Sequence, residues 1–315
     1  HFGIQTFTYG IFRTWLGMGD LTGALRLAVL LMTFTLLVLF FEKHTRYNSR
    51  YDTNSFKSTA NNKIPLRGLK SITAILCCTI PLFFGFFLPV LRLVYWAILS
   101  KSYFFNFNLI KLFSNTILLS FSTSFLTVLI SVFIVFSAKY FKSSVVSSTN
   151  KIAILGYSTP GAVIAMGTLI LVSYISKLTS IVISGTIFLL IFAFIARFLA
   201  VAYQPIDSGM EKICDRLNDA AKSLGVSPMT SFLNVNLPNI KNTGKAALLL
   251  VFIDATKELP LTLILRPFNF ETLSTFTFDL SNQAQIIESS IPSLSIIFLA
   301  LLPIVYLNRS IGIIK

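Results

Sequence analysis

Residues 109–137 read LIKLFSNTILLSFSTSFLTVLISVFIVFS, an apolar run whose one charge, Lys111, stands at its edge. A helix needs about 20 apolar residues to cross the hydrocarbon core of a bilayer. This run is long enough. Six other stretches also qualify: 24–41, 72–99, 152–175, 181–203, 246–265 and 290–307. Backbone groups in lipid must be hydrogen-bonded within the segment, so each stretch is expected to be a helix. Alternation with period two is absent, which argues against an outer-membrane barrel. Composition agrees. Of 315 residues, 54% are hydrophobic and 12% charged, with a mean hydropathy of +0.77. A water-soluble domain is nearer a quarter charged. The expected fold class is an all-α polytopic membrane protein in contact with the lipid bilayer.

The net charge of +14 invites a nucleic-acid reading. The distribution of the charge argues against it. Most Lys and Arg fall in 42–71, 138–151, 204–245 and 308–315, while the alternate loops are poor in them. Every second loop is basic, which is the positive-inside pattern. It places the first residues on the periplasmic side and the C-terminus in the cytoplasm, as expected of a multi-pass protein of a bacterial inner membrane. Arg26 and Arg92 lie near span ends and are expected to snorkel. Cys77, Cys78 and Cys214 form no disulfide framework or metal spacing, and His1 and His44 are the only histidines. Neither a catalytic set nor a metal site is expected.

The loop after the fifth span reads IDSGMEKICDRLNDAAKSLGVSPMTSFLNVNLPNIKNTG (206–244). Residues 208–224 suit a helix with Ala220 and Ala221 on one side. Gly225 can take a positive φ and end it. Ser227 can cap a second helix, with Pro228 at its first position. Pro238 closes the segment before the next span. Two short helices at a sharp turn make a corner that fits a cleft on another protein.

The core of that loop is Asp219-Ala220-Ala221, three residues, Gly225, nine residues, then Val235-Asn236-Leu237-Pro238. It resembles the Glu-Ala-Ala motif of ABC importer permeases. Asp219 replaces the family's Glu and Val235 its Ile, and all spacing is kept. The resemblance implies a type I permease fold, a six-helix domain with cytoplasmic coupling helices, plus one extra N-terminal transmembrane helix. It implies that this loop docks on a cytoplasmic ABC ATPase dimer and that a periplasmic solute-binding protein delivers the cargo. The chain has no G-x-x-x-x-G-K-[ST] phosphate loop. ATP is therefore expected to be used by the partner subunit, with no cofactor bound here.

The segment FIDATKELPLTLILRPFNFETLSTFTFDLSNQAQ (252–285) resembles the iron(III)-type permeases, which carry two fused permease domains. The resemblance implies ferric iron as cargo. Thiamine, polyamine, phosphonate and sulfate permeases share the coupling loop and remain alternatives. A more distant alternative is an ion-coupled secondary transporter in which Asp254 and Glu258 couple the ion.

TFTYGIFRTW (6–15) parallels TLSTFTFDLS (272–281), with an offset of 266 from Thr6/Thr272 to Phe12/Phe278. The expected organisation follows. Residues 1–41 end a truncated first permease domain, 42–70 are a cytoplasmic linker, and 71–315 form a second domain with its coupling loop at 205–244. On this reading the chain looks like a C-terminal fragment, and the missing first domain is a partner.

Asp254, Lys257 and Glu258 fall inside the 246–265 span, where charge is costly. Spacings of three and four place them on roughly one helix face. Pro260 frees the carbonyl of Thr256 and is expected to bend the helix. Two readings stay open: a polar gate or pathway lining, or a buried network reaching Arg197 from the preceding span. Tyr157-Ser158-Thr159-Pro160-Gly161 in the fourth span reads as a kink or as a site of close helix packing.

Overall fold

A buried seam of hydroxyls on one long helix organises the bundle. In the computed structural model, residues 6–47, 67–100, 109–140, 156–213, 217, 220–221, 223 and 224–312 are described. The elements are α1 (Phe7–Phe12), α2 (Leu21–Tyr47), α3 (Leu69–Leu82), α4 (Leu88–Leu99), α5 (Leu109–Tyr140), α6 (Gly161–Thr179), α7 (Ile187–Glu211), α8 (Pro228–Ser231), α9 (Leu237–Thr256), α10 (Pro260–Leu265), α11 (Leu273–Asn282) and α12 (Ser290–Gly312). No strand occurs among the described residues. Arg13–Gly17, Phe83–Phe87 and Phe232–Asn236 are π-helical turns. The last two precede Pro89 and Pro238 and contain the residues four back, Gly85 and Asn234. A proline ring clashes with the carbonyl four residues back, and the wider π turn makes room for it.

Among the described residues, six helices are long and apolar enough to cross a membrane. The seventh expected span, 246–265, is not one of them. It breaks into α9 and α10 at Lys257-Glu258-Leu259. Pro260 does not bend a continuous helix. It starts a new one at the first helical position, where its missing N–H costs nothing. The expected span at 152–175 is also interrupted: residues 156–158 are helical, and α6 starts afresh at Gly161 after Pro160. Residues 152–155 lie outside the described set.

Helix α5 buries Thr116, Ser120, Thr123, Thr127 and Ser131 at spacings of three and four. Thr116, Thr127 and Ser131 donate to carbonyls one turn back, at 2.7–2.8 Å, so these hydroxyls enter the interior satisfied. Helices α7 and α9 pack closely against α5. From α7 come Leu190, Phe194, Phe198 and Ile206, and from α9 come Ala247, Val251 and Ala255. Small residues let backbones approach, which drives helix association where no hydrophobic effect operates. By contrast, α3 and α4 bury no residue at all, and Phe83, Phe84, Phe86 and Phe87 are exposed. In water such a surface would aggregate; in a bilayer, acyl chains cover it.

The bundle has two tied ends. At one, Asn236 Nδ2 donates to the Tyr140 hydroxyl at 2.9 Å and Lys139 Nζ to the Met210 carbonyl at 3.4 Å. The C-terminal ends of α5 and α7 thus meet the start of α9. At the other, Asn115 Nδ2 donates to the Glu271 carbonyl at 2.9 Å, and the Leu273 N–H donates to Thr116 Oγ1 at 2.9 Å. A small second core of Leu109, Leu112, Leu273, Ile291 and Leu299 fills this far end. Thr116→Val keeps the shape but strands the buried Leu273 N–H. The expected cost is about 1–3 kcal/mol, read as a lower midpoint of thermal unfolding in detergent micelles.

The two parallel segments share their capping. Thr6 caps α1 by accepting from the Tyr9 N–H at 3.3 Å, and Thr272 caps α11 by accepting from the Thr275 N–H at 3.4 Å. Each short helix packs on the long one that follows it. Beyond the caps, Gly19 (φ 68) and Ala284 (φ 59) fall one residue out of step with the earlier offset. The π turn at Arg13–Gly17 supplies the extra residue, since a π turn is a one-residue insertion in a helix. Asp20 then caps α2, where bonds from the Thr22 hydroxyl and the Gly23 N–H hold its carboxyl below the usual range.

Candidate functional site

Two features stand out, one at the end where α5, α7 and α9 meet and one halfway along α7. The first is the corner between the fifth span and α9. Helix α7 itself runs on to Glu211 and turns at 212–213, so the expected helix at 208–224 is not continuous. Its first residues belong to α7, whose apolar face continues through the buried Ile206 and Met210. Residues 217, 220, 221 and 223 are helical, and Asp219 lies outside the described residues. The Leu224 N–H donates to the Ala220 carbonyl at 3.1 Å and the Val226 N–H to the Ala221 carbonyl at 3.0 Å. Gly225 sits between them at φ 71. This six-to-one bond around a left-handed residue closes a helix end and reverses the chain.

The second arm follows at once. Ser227 is extended and accepts from the Thr230 N–H at 3.2 Å, and Pro228 opens α8. Phe232 is buried with its ring 4.7 Å from that of Phe136, which lies 4.9 Å from Tyr140. The π turn carries Val235 and leads into Leu237 and Pro238 at the start of α9. Ala221 is buried, Val235 half-buried, and Ala220, Gly225, Leu237 and Pro238 are exposed. The corner therefore presents an open tip while its second arm is bonded to α5 and continuous with α9. The second arm joins the tip to α5 through the Asn236–Tyr140 hydrogen bond and to α9 through the π turn.

The second feature is the break between α9 and α10. Arg197 Nε lies 3.2 Å from Glu258 Oε2, and Arg197 Nη1 donates to the Thr159 carbonyl at 3.1 Å. Glu258 Oε1 accepts from the Leu261 N–H at 3.4 Å. The Glu258 carbonyl accepts from Thr262 Oγ1 at 2.9 Å and Ser274 Oγ at 3.2 Å. A Cβ on Gly161 would lie 2.5 Å from Glu258 Oε1 and 2.6 Å from Arg197 Nη1. The Thr159-Pro160-Gly161 interruption makes room for this knot, which joins α6, α7, α10 and α11. Of its members, sequence reading named Arg197 and Glu258. It flagged Gly161 only as a kink or packing residue and missed Ser274.

The three charges do not share one face. With α9 ending at Thr256, Glu258 turns inward and its side chain is 8% exposed. Lys257 turns outward at 62% exposure and pairs with Asp254, with Nζ 2.8 Å from Oδ1. Pro260 lies two residues beyond Glu258, at the head of α10. Towards the far end, Arg266 Nη2 donates to Asp279 Oδ2 at 3.3 Å, and its Nη1 lies 3.9 Å from Glu271 Oε1. These residues border a cavity of about 660 Å³ with Leu263, Phe270 and Phe278, beside an exposed Phe268. Among the described residues, no cluster of three or more His, Cys, Asp or Glu is placed to hold a metal ion.

No protein-family model matches the chain. The chain is 27% identical over 326 aligned positions to the Fe(3+)-transport system permease protein FbpB 2 of Haemophilus influenzae. That alignment covers 97% of this chain and 60% of the relative, so the chain spans about three-fifths of the relative's length. A putative 2-aminoethylphosphonate transport system permease protein, PhnV, of Salmonella typhimurium is 25% identical over 126 residues, 40% of this chain and 48% of its own length. Among solved structures, a bacterial ABC transporter that imports the acidic polysaccharide alginate aligns with a TM-score of 0.61 at 16% identity, covering 78% of this chain and 96% of that one. The bacterial alginate ABC transporter in complex with its pentasaccharide-bound periplasmic protein aligns at 0.59 and 14%, covering 76% and 93%. The fold is that of ABC importer permeases.

Proposed function

We propose that this chain, with its ABC importer permease fold, is the transmembrane permease part of an ATP-driven importer of ferric iron in a bacterial inner membrane. The corner at Ala220–Pro238 carries the reading. Its open tip suits a cleft on a cytoplasmic ATPase dimer, and its second arm is continuous with α9 and bonded to α5. Closure of the dimer on ATP then rocks those helices, and hydrolysis stays with the partner. Asp219, Ala220, Ala221, Gly225, Val235, Leu237 and Pro238 form the docking segment. On the other membrane face, a periplasmic solute-binding protein delivers the cargo. The positive-inside charge pattern supports this orientation. The repeated caps at Thr6 and Thr272, and a relative longer than this chain, support a first permease domain preceding this one in the same polypeptide.

Iron as cargo rests on the FbpB 2 likeness, which extends over nearly the whole chain. The partial likeness to PhnV favours a second reading for the cargo alone, a phosphonate. Uptake of ⁵⁵Fe³⁺ by cells or vesicles carrying the importer tests both the driving force and the cargo. Vanadate is expected to stop it, while collapse of the proton gradient leaves it running. The opposite pattern would identify an ion-coupled transporter. Vanadate-sensitive uptake of 2-aminoethylphosphonate without iron uptake would move the cargo to the second reading.

A further inference from the structure

The two charge pairs at the helix break stand in different surroundings. Arg197 lies near the middle of α7, a helix long and apolar enough to cross a membrane. Glu258 is paired with it, so Lys257, its chain neighbour, lies at the same mid-membrane depth. The Arg197–Glu258 pair is enclosed, whereas the Lys257 side chain is 62% exposed. A charge facing hydrocarbon at that depth is costly, and charges there face the bundle interior or a water-filled route instead.

We infer that the end of α9 carrying Asp254, with the adjoining Lys257, lines the cargo route, and that Asp254 is a station for a passing metal cation whose place the Lys257 ammonium holds between passages. The inference rests on the importer reading above. Two things favour positive charge at this spot. One is the Asp254 carboxylate, 2.8 Å from Nζ. The other is the C-terminal end of the 20-residue helix α9, where the peptide dipoles leave negative partial charge. Lys257 is a point charge on a flexible stem and can swing aside. Arg197 cannot, because Thr159, Gly161 and Glu258 surround it. A hard cation prefers carboxylate oxygen. One carboxylate binds it weakly, which suits conduction, since a site on a route must release what it takes.

The test uses the complete importer, permease with its ATPase, in proteoliposomes, with ⁵⁵Fe³⁺ loaded on its secreted binding protein. Asp254→Asn is expected to lower uptake by about tenfold or more, the loss of a charge-assisted contact, and Lys257→Gln by no more than about threefold. Equal losses, or a larger loss for Lys257→Gln, overturn the cation station. A second measurement is independent of cargo. Lys257→Cys, in a chain with Cys77, Cys78 and Cys214 changed to Ser, is expected to react with a charged methanethiosulfonate added in water. No reaction overturns the route while leaving the importer reading intact. No ⁵⁵Fe uptake by the wild-type complex overturns iron import and the station with it.

Discussion

Gly225→Glu is expected to abolish uptake in a chain that still folds, inserts and accumulates normally. Gly225 has φ 71, which costs an L-residue with a Cβ about 1–2 kcal/mol. That is small beside the roughly 5–15 kcal/mol that holds an ordinary domain together. Nothing lies within 4 Å of a Cβ built there, so no neighbour is displaced. The damage is confined to the tip of the corner. There the strained backbone disturbs the bond between Val226 and Ala221, and a long carboxylate occupies the space that the proposed docking cleft would need. Gly225→Asn separates these effects, because Asn tolerates the left-handed conformation and adds no charge. It is expected to keep most uptake. The readouts are substrate uptake, the amount of chain extracted from membranes, and recovery of the ATPase with the tagged permease. Wild-type uptake by the Glu variant would sink the docking role of this loop.

Hydropathy alone made most of the bundle legible, because lipid imposes a length and an internal hydrogen-bonding rule that few sequences can evade. The corner was legible for a different reason. Gly225, Ser227 and Pro228 each have a local conformational preference, and all three agree. The reading failed where proline acts in a long-range context. Pro160 and Pro260 looked like bends inside apolar runs. Instead, each begins or precedes a new helix, because the interruption gives Arg197 and Glu258 room to pair. Nothing near Glu258 in the sequence announces that its carbonyl accepts from Ser274, or that its partner Arg197 donates to the Thr159 carbonyl. For the same reason Asp254, Lys257 and Glu258 looked like one face: helical spacing was applied across a point where the helix ends. Arg266 meets Glu271 and Asp279 only because the chain turns between α10 and α11, which no periodicity records.

The Arg197–Glu258 knot carries the largest expected effect on stability. Removing one partner of a buried ion pair leaves the other charge without compensation, a loss of about 3–5 kcal/mol. Arg197→Ala is expected to reach that range. It leaves Glu258 enclosed and withdraws the donor from the Thr159 carbonyl, so the start of α6 loosens along with the break. Glu258→Gln keeps an acceptor for the Leu261 N–H but leaves the Arg197 guanidinium uncompensated, so its cost is expected in the same range. Replacing both charges with apolar residues of similar size, as in Arg197→Met with Glu258→Leu, is expected to recover much of the loss, because neither residue then needs a partner. Gly161→Ala approaches the same knot from outside. Its methyl would stand 2.5 Å from Glu258 Oε1 and 2.6 Å from Arg197 Nη1, and both sit on side chains held by other bonds. In the Arg197→Met/Glu258→Leu background that methyl meets side chains free to give way. Gly161→Ala should therefore cost more in the wild type than in the double variant, a coupling that a double-mutant cycle on detergent-solubilised protein measures directly. Equal costs in the two backgrounds would mean that Gly161 serves only the start of α6 and that the ion pair does not depend on the room it leaves.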